Sequence, residues 1–344
     1  MESKEEILIE LITIRFLISI VGMIGNILLM ASICKNANFK TFEVLLVGLA
    51  LSNLESIFIV DIYDIILISA SDRLSLSIWV CSTMKCLTVF GEVTTILFTM
   101  LISIFRYQKL RDAEKRVNLP ILLDSVPLAL GLSGLSVLLG FAFGMPTYAM
   151  NLDNHMPNYT QTSTCPLDFF QCPKDNCPVH NMAYKYCFLF LCILLPLCVV
   201  TGTSGLILRI LLLQRRTVPA QDISSVPSSQ VNRRTASFHR STIAILAAMT
   251  IFQVDWIIYL ALHLAVDPYT FPFWDQAEFL IATTYSTLSP YVYGTGVWKR
   301  GKRTESTRRR LQTTLDNVYG PCWTGKECCL KKQTGESEGL ALRI

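Results

Sequence analysis

The sequence predicts an all-α membrane protein, a bundle of seven transmembrane helices with its N-terminus outside and its C-terminus in the cytoplasm. Three observations carry this. The 344 residues are 51% apolar and only 16% charged, with a mean hydropathy of +0.44. A soluble chain carries about 25% charged residues, so too few are present to cover a soluble surface. The apolar residues are also gathered into blocks of the ~20 residues needed to cross a bilayer. Finally, Lys and Arg collect on alternate connectors. This composition argues against a cytosolic enzyme and against a disordered chain.

Seven blocks qualify, at 16–34, 42–69, 79–110, 125–149, 186–213, 241–266 and 279–298. The first follows Arg15 and ends before Lys35. The second and third flank a connector with a single basic residue, Arg73. The fourth has the least clean start, because Asp124 and Pro127 stand at its entry. The fifth follows a long connector rich in Cys, and Pro196 interrupts it. A Ser-, Pro- and Gln-rich linker, 217–230, precedes the sixth. The seventh is short and broken by Pro290, but without it that apolar stretch is unexplained.

Basic residues set the orientation. One set of connectors holds only Lys4, Arg15, Arg73, Lys174 and Lys185. The other holds Lys35, Lys40, Arg106, Lys109, Arg111, Lys115, Arg116, Arg215, Arg216, Arg233, Arg234 and Arg240, followed by eleven more in the tail. The positive-inside rule places the second set in the cytoplasm. The net charge of +4 therefore belongs to the cytoplasmic face and implies no nucleic-acid partner. The expected organisation is a short outer segment at 1–15, a helical domain at 16–298 and a basic, mostly disordered tail at 299–344. The acidic start Met1–Glu6 lacks the positive n-region of a cleavable signal peptide.

Cys81, Cys165, Cys172 and Cys177 fall on the outer side, where disulfides form; four cysteines allow three pairings. The same connector carries the chain's one N-x-[ST] sequon, Asn158-Tyr159-Thr160, a candidate for glycosylation. Cys322, Cys328 and Cys329, beside basic residues in the tail, are candidates for S-palmitoylation. The cysteines within the helical blocks read as small apolar side chains. No Gly-rich phosphate loop, HExxH or GxSxG occurs, so no enzymatic activity, cofactor or metal is expected.

Several motifs appear in order. Gly25-Asn26 lies in the first helix and Leu49-Ala50-Leu51-Ser52-Asn53 in the second. Phe105-Arg106-Tyr107 ends the third, 25 residues after Cys81. Pro196 lies in the fifth, Phe252 and Trp256 in the sixth, and Ser289-Pro290-Tyr291-Val292-Tyr293 in the seventh. Together these resemble the rhodopsin-like G-protein-coupled receptors, with Asn for Asp in LALSD, Phe for Asp in DRY and Ser for Asn in NPxxY. The run Ser103-Ile104-Phe105-Arg106-Tyr107-Gln108-Lys109-Leu110-Arg111-Asp112, the Ser-Pro-Tyr of helix seven and the long loop before helix five narrow the likeness. They resemble the vomeronasal type-1 receptors and their fish counterparts, the olfactory receptors related to class A. The resemblance spans about 16–300. Bitter-taste receptors fit less well at 165–177 and 289–293, and other class A receptors remain an alternative. A seven-helix transporter or channel would need a polar track or broken helices at mid-depth.

The resemblance implies a chemosensory receptor in the plasma membrane of an olfactory or vomeronasal neuron. Its partners are a small odorant or pheromone, a heterotrimeric G protein and membrane lipids. It implies a disulfide from Cys81 to one of Cys165, Cys172 and Cys177. Arg106, Tyr107, Pro290 and Tyr293 are expected to serve activation and G-protein coupling. Phe105 cannot pair with Arg106 as the usual acid would, so a weakened inactive-state lock is expected. Asn53, Thr95 and Ser289 fall where these receptors bind sodium, but a hard cation wants a carboxylate that Asn53 lacks. Glu55 or Glu92 would have to substitute.

Charges inside a membrane are costly and default to functional candidates. Glu92 stands 14 residues before Arg106, about 21 Å along the helix. Asp61 lies in helix two and Asp255 beside Trp256, with His263 two turns beyond. Tyr285 is expected at the depth of Trp256. Glu92, Asp255, Trp256, His263, Tyr285 and Asp61 are therefore the candidate ligand pocket. Its lining favours a cationic or hydrogen-bond-donating ligand, although a protonated acid would also accept an anion.

Overall fold

A computed structural model of the chain describes residues 2–35, 40–70, 78–115, 125–150, 169–173, 177–217, 229–268, 270–271, 274 and 277–295. These lie in one unit, Met1–Gly296. Every regular element among them is helical. In chain order they are α1 (Glu2–Cys34), α2 (Thr41–Ala70), α3 (Ile78–Lys115), α4 (Val126–Gly144), α5, α6 (Ser229–Ala265) and α7 at 277–295. A 3-10 turn, Met145–Tyr148, follows α4. Helix α5 runs through three consecutive stretches, Val179–Phe188, a π-helical Leu189–Leu194 and Leu195–Thr217. The π turn directly precedes Pro196, whose missing N–H already interrupts the ladder.

Among the described residues, α1 to α6 are long and apolar enough to cross a membrane. Helix α7 stands where the seventh block was expected but is more polar. Its Thr283, Ser286, Thr287 and Ser289 are all buried. A helix enclosed by others can carry hydroxyls that bond to its own backbone, as Thr283 does to the Phe279 carbonyl at 2.7 Å.

Local chemistry explains the helix starts. The Glu43 carboxylate reaches back to the Lys40 N–H at 3.2 Å, half of a capping box at the head of α2. Ser125 caps α4 by accepting from the Leu128 N–H at 3.3 Å. Pro127 falls in that first turn, where a missing N–H costs nothing. Three boundaries differ from expectation. Segment 1–15 is helical from Glu2, although the apolar span itself begins at Thr13. Helix α5 begins at Val179 and α6 at Ser229, each ahead of its apolar block. Intrahelical hydrogen bonding does not stop where a run of apolar residues does, so each helix extends beyond its block. Lys185, counted with the loop, therefore belongs to α5.

Packing is inverted relative to a soluble bundle. Helix α4 exposes Leu130, Leu135, Leu138 and Phe141 and buries Ala129, Ser136 and Gly140. Large side chains outward and small ones inward suit hydrocarbon, where close backbone approach replaces the hydrophobic drive. Helix α3 is the most buried span and packs on α2, α4 and α5; α1 packs on α2, and α5 on α6. Gly25 lets α1 meet α7 closely, since a Cβ there would lie 2.7 Å from the Tyr291 ring and 3.0 Å from Pro290.

Candidate functional site

One end of the bundle, at Cys81, is closed by a short loop stretch. Phe169 and Phe170 stack edge to face at 5.0 Å, and Phe170 is completely buried. The stretch is held from both sides. Lys85 on α3 donates to the Phe169 carbonyl at 3.5 Å, and Asn181 on α5 donates to the Gln171 carbonyl at 3.0 Å. Gln171 has a φ of 46°, an uncommon left-handed backbone for a non-glycine residue. A disulfide between Cys172 and Cys177 follows directly.

From Phe170 a line of rings runs down the bundle. Phe170 meets His263 at 5.3 Å, His263 meets Tyr259 at 4.2 Å, and Tyr259 meets Trp256 at 5.1 Å. Trp256 meets Phe252 at 6.2 Å, and Phe252 meets Tyr285 edge-on at 5.3 Å. The Tyr285 hydroxyl bonds Thr99 at 2.9 Å and approaches the Tyr293 hydroxyl at 3.4 Å. His263, Tyr259, Trp256 and Phe252 are one helical turn apart on α6, so a single face presents them all. A narrow cleft beside them is lined by Tyr259, His263, Trp274, Glu278 and Ile281. There Glu278 accepts from Trp274 Nε1 at 3.0 Å and faces His263 Nε2 at 3.8 Å.

Polar atoms along this line lack partners. Asp255 Oδ2, Trp256 Nε1 and His263 Nδ1 are buried without a hydrogen bond among the described residues. Buried polar atoms are normally satisfied, so such a group of exceptions on one helix calls for a ligand or water. Glu92 is buried on α3 and lies close enough to Glu55 of α2 to interact electrostatically. Both Glu55 oxygens are buried without a hydrogen-bond partner.

At the opposite end, the Arg106 guanidinium lies 3.5 Å above the ring of Phe42 on α2. That ring stacks on the buried Phe105 at 6.0 Å. The model of the family described as "7 transmembrane receptor (rhodopsin family)" matches residues 25–293.

The chain belongs to this receptor family.

It is therefore a multi-pass membrane receptor. A comparison with curated proteins finds no match. At Asn53, which replaces the acid of the LALSD motif, this receptor has a closed neutral network. Asn53 donates to Asn26 Oδ1 and to Ser289 Oγ, each at 3.1 Å, and accepts from Thr95 at 3.2 Å. Asn26 itself donates to the carbonyls of Gly22 at 2.9 Å and Ser286 at 3.0 Å.

The receptor's candidate residues divide. Trp256 and His263 share one aromatic line, with Asp255 beside it. The Tyr285 backbone comes within hydrogen-bonding reach of the Asp255 carboxylate, next to Trp256, while its side chain runs toward Phe252, Thr99 and Tyr293. Asp61 has its partner elsewhere. It accepts from Ser19 at 2.6 Å and ties α2 to α1. Pro290 and Tyr293 are buried, and Tyr107 lies beneath the Arg111 guanidinium at 5.7 Å. Cys81 is disulfide-bonded. Cys172 and Cys177 hold each other, so neither is its partner; Cys165 lies outside the described residues, as do Asn158, Cys322, Cys328 and Cys329.

Sequence reasoning missed Lys85, Phe170, Lys185 and Phe42. Lys85 follows Cys81 by one helical turn, which places it on the same face, and that signal was available. Phe42 and Phe170 gave none, since an aromatic next to a helix or in a loop is ordinary.

Proposed function

We propose that this receptor is chemosensory, binding a small odorant or pheromone within the bundle and activating a heterotrimeric G protein. In this reading the Cys81 end faces outside and the Arg106 end faces the cytoplasm of an olfactory or vomeronasal neuron. The observation that carries it is the continuous line from Phe170 through His263, Tyr259, Trp256, Phe252 and Tyr285 to Tyr293. Close-packed rings are not freely deformable, so a ligand that displaces His263 or Trp256 forces the rings below to repack. The lower end of the line lies on the side of Arg106, where a G protein would dock. Likeness of 103–112 and 289–293 to the vomeronasal type-1 pattern supports the chemosensory assignment. Cys165 is the partner we assign to Cys81. Asn158 would carry a glycan outside, and Cys322, Cys328 or Cys329 an acyl chain on the cytoplasmic tail.

The test is G-protein nucleotide exchange in cells expressing the chain, screened with water-borne odorants, amines and organic acids. Activation by at least one compound is expected, abolished by Arg106→Ala at equal surface expression. A silent wild type at good surface expression, or ion flux in proteoliposomes lacking G protein, would overturn the proposal.

A further inference from the structure

Lys185 has no role in the route described above. It lies in the first stretch of α5 and is only 9% exposed. Among the described residues no carboxylate pairs with its ammonium. The ammonium lies 5.9 Å from the centre of the Phe170 ring and close enough to His263 to interact electrostatically. The nearby acid on α7, Glu278, is instead engaged by Trp274 and faces His263. A buried ammonium is costly without a counter-charge, and an aromatic face offsets only part of that cost.

The surroundings are aromatic. The rings of Tyr184, Phe188 and His263 all lie within 6.0 Å of Phe170. A fixed cation among aromatic walls, closed by the Phe169–Phe170 turn, suits one ligand chemistry above others. We propose that Lys185 forms the anion-binding end of the ligand site, so that the receptor takes an organic anion, a carboxylate or sulfonate on an aromatic or aliphatic body. This rests on the reading of the bundle as a ligand-binding receptor and specifies the ligand's charge. It also reverses the preference for cations drawn from Glu92, Asp61 and Asp255. Asp61 is occupied by Ser19, and the cation stands nearer the mouth.

The test uses the full-length chain in phosphatidylcholine nanodiscs and measures its melting temperature. The probes are 3-phenylpropanoate, 3-phenylpropanamide and 3-phenylpropylamine, with decanoate and decylamine as the aliphatic pair. At least one acid is expected to raise the melting temperature by several degrees, while the amide and amines do not. Lys185→Gln should abolish the shift and Lys185→Arg should keep it. Ligand-free Lys185→Met should melt above wild type, because an uncompensated buried charge is gone. Stabilisation by an amine but no acid, a shift retained in Lys185→Gln, or no shift with either acid would overturn the proposal. Ligand-free nucleotide exchange by a reconstituted G protein, compared between wild type and Arg106→Ala, reads the receptor assignment separately. Intact coupling without anion binding sinks only the charge assignment. Anion binding without coupling sinks only the receptor reading.

Discussion

Asn53→Ala is the most informative perturbation of the core. Asn53 is 1% exposed and joins four helices through Asn26 on α1, Thr95 on α3 and Ser289 on α7. Removing it breaks three interhelical hydrogen bonds. Two of the partners can recover, because a Thr or Ser hydroxyl can turn to its own helix, as Thr99 does to the Thr95 carbonyl at 2.8 Å. Asn26 cannot turn, since its amide is held by Gly22 and Ser286. Interhelical hydrogen bonds in membranes average about 0.6 kcal/mol, so three are worth about 2 kcal/mol. At roughly 2–4 °C per kcal/mol, the melting temperature should fall by about 4–8 °C. Thermal unfolding in nanodiscs measures this. Ser52→Ala is the control, because Ser52 bonds only to the Gly48 carbonyl of its own helix, at 3.0 Å, and should shift little. The same network predicts that sodium in place of choline leaves the wild type unchanged, whereas Asn53→Asp gains sodium-dependent stability. An unchanged melting point in Asn53→Ala, or a sodium effect in the wild type, would refute the reasoning.

Four further outcomes are expected. Phe42→Ala removes the ring beneath Arg106, a contact worth about 1 kcal/mol, and should raise ligand-free nucleotide exchange several-fold; exchange equal to wild type would show that the ring is no lock. Phe105→Asp, which supplies the missing acid beside Arg106, should lower that exchange. Gly25→Val drives a side chain into Tyr291 and Pro290 and should cost about 1–3 kcal/mol, whereas Gly131→Ala, with open space around it, should cost almost nothing. Normal surface expression and melting of Gly25→Val would contradict the close α1–α7 contact. Tyr285→Phe removes the bond to Thr99 and the contact with Tyr293. It should weaken ligand-driven exchange while leaving ligand affinity within a few-fold, and a selective loss of affinity would instead place Tyr285 in the pocket.

Much of the site was legible where one residue's chemistry sufficed. Trp256, Phe252 and His263 sit four or seven positions apart, so helical periodicity alone puts them on one face. Where the side chains of Asp61 and Tyr285 turn was not legible, because depth along a helix says nothing about direction. Asp61 turned to Ser19, 42 residues away in sequence, and Tyr285 to Thr99 and Tyr293.

By itself the sequence determined that this chain crosses the membrane as a bundle of helices. That follows from a local quantity, the length of its apolar runs, which needs no partner. The occupants of the core were decided only by tertiary structure. Asn53 looked like a defective cation site until Asn26, Thr95 and Ser289 closed around it. Lys185 looked like a loop cation until α5 began seven residues early, at Val179, and drew it against Phe170. In hydrocarbon a polar group takes whichever partner packing brings near, and that choice is made between helices.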